Sequence, residues 1–177
     1  MKKILLIMSA IIFLSNGNCF AETLVRVSDY TVDEFYREYN KVANNVTQNY
    51  LTANQYPILG KEGGTYNNYL MICGTKSGGV ATVVILRANK QGHVSAISVM
   101  TPMKNKESVS IGAEVMKNIV NVLGLNEMQG QIMLENISNG NNPAFQYCYS
   151  TKRYIFMKAF LDKASGLYNT DFYAAVD

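Results

Sequence analysis

The stretch Tyr154-Ile155-Phe156-Met157-Lys158-Ala159-Phe160-Leu161 sorts by parity, and its reading decides the fold. Successive side chains of a strand point to opposite faces, so Ile155, Met157, Ala159 and Leu161 share one side while Tyr154, Phe156, Lys158 and Phe160 share the other. The aliphatic side is the better core. Upstream, Ala144-Phe145-Gln146-Tyr147-Cys148-Tyr149-Ser150 divides the same way, with Phe145, Tyr147 and Tyr149 opposed to Gln146, Cys148 and Ser150. With Cys148 turned toward the core, Tyr147, Tyr149, Tyr154 and Phe156 face away from it. Lys152 and Arg153 belong to the connecting turn, and together these six residues form the expected partner surface. The competing reading puts the aromatics themselves in the core, because large aromatic side chains dominate ordinary cores.

Working outward, Tyr66 to Cys73, Val80 to Asn89 and Val94 to Thr101 are further strand-like runs. Gly74 to Gly79 and Lys90-Gln91-Gly92 separate them, turns short enough for an antiparallel meander. Gln131 to Ile137 and Leu167 to Ala174 also read as strands, the former because Glu135 alternates with Met133 and Ile137. Two helices interrupt the strands. Thr31 followed three residues later by Glu34 is a capping box, and Val32, Phe35, Tyr39, Val42 and Val46 continue at helical spacing until the polar stretch Thr47 to Asn54. The second helix is expected from about Ser108 or Ser110 to Leu123, closed by Gly124 in a left-handed cap with Leu125 folding back. The predicted class is α+β, a two-layer antiparallel sheet of about six strands with two main helices on one face, in the order α-β-β-β-α-β-β-β.

The amino end reads as an export signal. Lys2 and Lys3 precede the apolar run Ile4 to Leu14, and Asn16-Gly17-Asn18 leads into Cys19-Phe20-Ala21. A spanning helix needs about 20 apolar residues, which this run does not supply. Asn16-Gly17-Asn18 is a poor lipobox, so cleavage after Ala21 is preferred, with residues 1–21 a signal peptide and 22–177 a single domain. The expected location is therefore periplasmic or extracellular, with no transmembrane segment in the mature chain. Cleavage removes two of the 16 basic residues and none of the 13 acids. Near-neutrality argues against nucleic-acid binding, which needs a concentrated basic surface. Cys73 and Cys148 remain, and two cysteines in an exported chain are most simply read as one disulfide.

Little catalytic chemistry is available to these residues. His93, the one histidine, follows Gly92 at a strand start and is better read as a hairpin-edge residue than as the base of a triad. One His with two bridged cysteines cannot assemble a zinc site, and no cofactor motif is present. Gly60 to Gly64 and Ser77-Gly78-Gly79 lack the spacing of a phosphate loop. Glu34 is committed to its cap, while Glu38 with Lys41 and Glu114 with Lys117 are spaced as helical surface pairs. The chain carries 12 tyrosines, residues that offer contact area with a polar tip and are enriched at recognition surfaces. The expectation is an exported bacterial binding or assembly module, more non-enzyme than enzyme, whose partner is another envelope protein or a copy of itself. Two rivals stand beside it: a small hydrolase using two carboxylates, and a carrier of an apolar ligand between helices and sheet.

Overall fold

The computed structural model describes residues 25–43, 54–59, 65–74, 79–89, 91–103 and 105–175. The signal segment 1–21, most of the polar stretch after the first helix, and the glycine-rich segments 60–64 and 75–78 lie outside the described residues. Helix α1 spans Val32–Val42, α2 Lys106–Val122 and α3 Glu127–Ser138. The strands are β1 Asn54–Leu59, β2 Thr65–Gly74, β3 Val80–Ala88, β4 Val94–Pro102, β5 Ala144–Cys148, β6 Arg153–Asp162 and β7 Leu167–Ala175. They form one antiparallel sheet in the order β1-β2-β3-β4-β7-β6-β5, with helices packed against it, an α+β fold.

Local chemistry explains the helix ends. At α1 the Thr31 side chain accepts from Glu34 N–H, and the Glu34 carboxylate accepts from Thr31 N–H at 2.9 Å, the reciprocal cap read from the sequence. Gly124, at φ 81°, ends α2: Leu125 N–H reaches Val120 O and Gly124 N–H reaches Asn121 O, satisfying carbonyls the helix leaves open. That chain reversal sets Asn126 as the N-cap of α3, where a second capping box closes between Asn126 and Gln129.

Parity holds along the decisive stretch. Ile155, Met157 and Ala159 are buried, as are Ala144 and Cys148 on β5, and most of them join Phe35, Tyr39, Leu86, Ile97, Val115, Ile119, Leu123, Met133 and Phe172 in one core between sheet and helices. Leu161, at the far end of β6, is 49% exposed and leaves that core. The helix α2 lies close on β4 at Gly112, where the missing side chain leaves room for Thr101, itself within 3.3 Å of Thr82 Oγ1.

Two elements differ from the sequence reading. Gln131 to Ile137 lies within α3, so Glu135 stands on an exposed helix surface and accepts a hydrogen bond from Gln131. Asn54–Leu59, just past the polar stretch, forms an edge strand that the sequence reading did not include; an edge tolerates Pro57 because one side of the strand has no ladder to lose. Among the described residues the sheet thus has seven strands and the helical layer a third helix. Lys117 turns from Glu114 to Glu127 on α3, at 2.9 Å.

The expected disulfide is corrected by the topology. Cys73 lies on β2 and Cys148 on β5, five strand spacings apart, roughly 24 Å at about 4.8 Å per spacing, whereas a bridge needs Cα atoms within about 7 Å. Both are buried free thiols. Burial pushes the Cys73 thiol up to about 12. At Cys148 burial pushes the thiol up, but hydrogen bonds with Ser150 and Thr151 outweigh it and hold the group below its ordinary value. Its Sγ also donates to Leu123 O, which ties β5 to the end of α2.

Candidate functional site

The face of the sheet turned away from the helices can be built from the strand registers, since directly paired residues share a face. One row runs Phe145, Phe156, Tyr173, Ala96, Arg87, Asn68 across β5, β6, β7, β4, β3 and β2. The row beside it reads Lys158, Asp171, Ser98, Ile85, Leu70. On the other flank Tyr147 pairs with Tyr154. The face therefore has an aromatic zone on β5, β6 and β7, a polar middle, and an aliphatic zone on β2, β3 and β4.

The aromatic zone is continuous. Phe145 meets Tyr154 edge-on at 5.9 Å between centroids and Phe156 at 5.5 Å. Tyr147 meets Tyr149 and Tyr154, each at 5.1 Å, and Phe156 stacks on Tyr173 at 5.2 Å. Phe145 remains 54% exposed and Tyr149 81%, while Tyr147, Tyr154 and Phe156 are half-buried by one another. Four of the six residues expected at the surface are thus brought together. Lys152 sits in the turn at φ 53°, exposed at the margin. Arg153 goes elsewhere: it pairs with Cys148 on the inner side, its side chain is only 12% exposed, and it donates to Asp29 at 2.8 Å. Phe145 and Tyr173 complete the zone and were not among the expected site residues. The signal was there for Phe145, which shares parity with Tyr147; for Tyr173 it required the β6–β7 register, which no linear pattern carries.

Asp171 lies half-buried in the polar middle. Burial raises its carboxyl above the usual aspartate value, against the opposing hydrogen bond from Ser98 and the positive charges of Arg87 and Lys158. Arg87 in turn donates to Asn68 Oδ1. The aliphatic zone is closed: Leu70, Val83 and Met100 are buried, with Ile72, Val80 and Ile85 packed around them. His93 has a structural role, its Nδ1 lying 3.0 Å from Asp29 O and its residue bridging Thr31. Among the described residues no three His, Cys, Asp or Glu side chains converge, and no helix is long and apolar enough to cross a membrane. Compared with protein-family models, with curated proteins and with solved structures, the chain matches none of them.

Proposed function

We propose that the protein is an exported binding or assembly module that engages a protein partner through the aromatic zone of its outer sheet face. The observation that carries this reading is the run of six aromatic residues, Phe145, Tyr147, Tyr149, Tyr154, Phe156 and Tyr173, in contact across three strands on the face opposite the helices. Tyrosine at such a site contributes large contact area at low entropic cost and keeps a hydroxyl for hydrogen bonding. Export is supported by the basic, apolar and small-residue order of residues 1–21, and places the module in the periplasm or outside the cell. Neither rival gathers comparable support. Asp171 stands between cations without a carboxylate partner in its row, and the layer where an apolar ligand would be carried is filled by Phe35, Leu86, Ile119 and Phe172.

The test is retention of partner from a native envelope extract by wild type and by a Tyr149→Ala/Tyr154→Ala variant, with the mass of the mature chain read from the same fraction. A species held by wild type and lost from a variant of unchanged circular dichroism is expected. Equal retention by both, or a mature chain that keeps Met1 to Ala21, would refute the corresponding half of the proposal.

A further inference from the structure

We infer that β5 is the pairing edge for a second copy of this chain, joining two sheets across a two-fold axis at Phe145. This rests on reading β5 as part of an interaction surface and names its occupant. Among the described residues strand β5 ends the sheet, and its five residues Ala144–Cys148 carry no charge. Edge strands are ordinarily blunted by Lys, by inward charges or by bulges against association with other chains, and this one presents aromatics instead.

The free backbone groups of the edge follow from Asn142. Ala159 N–H donates to Asn142 Oδ1 at 3.2 Å, and Ala159 C=O accepts from Asn142 Nδ2, so both backbone groups of Ala159 point toward β5. Backbone direction alternates along a strand, so Met157, Ile155 and Arg153 also point at β5 and bond Ala144, Gln146 and Cys148. Phe145 and Tyr147 therefore direct their N–H and C=O away from β6, off the edge. Gln129 Nε2 donates to Tyr147 O at 3.0 Å from the side of α3, as that direction requires. Among the described residues nothing bonds the backbone of Phe145. A groove of about 550 Å³ runs alongside, lined by Asn136, Asn141, Asn142, Pro143, Phe145 and Gln146.

This edge is complementary to itself. In an antiparallel pair centred on Phe145, its N–H and C=O exchange two hydrogen bonds with the second copy's Phe145. Tyr147 then falls opposite the second copy's Pro143. Pro143 has no N–H to donate, and Tyr147 O, already bound to Gln129, requires none; Tyr147 N–H is left for the Pro143 carbonyl. The same register brings the two Phe145 side chains together, so that Tyr173, Phe156 and Phe145 continue into Phe145, Phe156 and Tyr173 of the second copy. A foreign strand would satisfy the same donors, and a copy of this chain in addition supplies a proline where no donor is wanted.

The test combines sedimentation with cysteine cross-linking of the mature chain. Paired residues of this hydrogen-bonded type lie about 5.5 Å apart between Cα atoms, within disulfide reach. Oxidation of Phe145→Cys is expected to give a covalent dimer, while Tyr149→Cys, more exposed but off the axis, is not cross-linked; native Cys73 and Cys148 are buried and do not compete. Wild type should sediment as a dimer at ~100 μM, since so small an interface gives weak association. Phe145→Pro removes an N–H that β6 does not use, and should weaken dimerisation by about tenfold or more with the fold intact. A wild-type monomer at that concentration, or cross-linking through Tyr149→Cys as readily as through Phe145→Cys, overturns the inference. A monomer whose envelope protein is lost on Phe145→Pro but kept by Phe145→Ala, which removes the same ring and keeps the N–H, assigns the edge to a foreign strand and overturns it too. The outer-face reading survives these failures, because its Tyr149→Ala/Tyr154→Ala variant leaves the Phe145 edge in place.

Discussion

Two adjacent residues of β6 allow a severe test of the two-faced sheet: Tyr154→Asn and Ile155→Asn place the same amide one position apart. Ile155 is fully buried between the sheet and the helices, so truncation of its side chain costs about 2–5 kcal/mol, and an amide left without partners there adds about 1–3 kcal/mol. The sum, about 3–8 kcal/mol, is comparable with the whole stability of an ordinary domain. Tyr154 is half-buried and touches the Phe145 and Tyr147 rings edge-on; losing two such contacts at about 0.5–1.5 kcal/mol each costs about 1–3 kcal/mol, and the new amide remains solvated. Urea unfolding of both variants, with the denaturant slope checked against wild type, reads the difference. In thermal melts Tyr154→Asn should lose about 2–4 °C per kcal/mol, while Ile155→Asn should show little or no cooperative transition. An Ile155→Asn protein as stable as Tyr154→Asn, or more so, would refute the assignment of faces and with it the argument for an aromatic surface. The same ring contacts make the effect of Tyr154→Ala on stability measurable.

Gly112→Ala, normally a gain of about 1 kcal/mol in a helix, should instead destabilise by about 1–2 kcal/mol, because the new Cβ meets three Thr101 side-chain atoms within 3.0 Å; Thr101→Ala in the same chain should recover part of the loss in urea titrations. Asp171 binds its proton more tightly in the folded chain than in the unfolded one, so its contribution is most favourable below the ordinary aspartate value, falls as pH rises through the folded value and is constant above it; Asp171→Asn should raise the melting temperature at neutral pH and flatten that decline. Alkylation without reductant should find Cys73 and Cys148 protected in the folded chain and two reactive thiols in urea; none in urea would restore the bridge.

What was legible in the sequence was what local chemistry determines. Thr31 with Glu34 announces a helix start because the two residues satisfy each other's backbone donors, and Gly124 announces a helix end because its φ of 81° suits few other residues. The alternation through β6 survives because that strand buries one face and leaves the other partly open. The helix α3 was hidden by a coincidence of spacing: Met133, Glu135 and Ile137 alternate, but Glu, Met, Gln and Leu favour helix, and Asn126 with Gln129 forms a cap as clear as that of α1. The cysteines were misjudged for a different reason. Compartment and parity say that two thiols are oxidisable and inward, while their separation depends on the strand order, in which β7 inserts between β4 and β6. Arg153 was drawn away from the aromatic face by Asp29, 124 residues earlier, a partner no local pattern indicates.

The polar middle of the outer face bears on which partners the aromatic zone admits. Phe145, Phe156 and Tyr173 offer area to any apolar surface, and area alone discriminates poorly. Next to them, Lys158, Asp171 and Ser98 form a row two residues further along on the same face. Asp171 already resists ionisation through burial, so a flat apolar surface laid across that row would desolvate the carboxylate further and strip water from Lys158 without replacing either interaction. A partner that stops at the aromatic zone avoids the penalty, and one that crosses it must bring a donor for Asp171 or an acceptor for Lys158. Pairing at the β5 edge keeps to the first course, because its two-fold axis lies at Phe145, and in the sheet order β5 and β6 both separate that axis from Asp171 on β7. The polar row is then left in water in both copies.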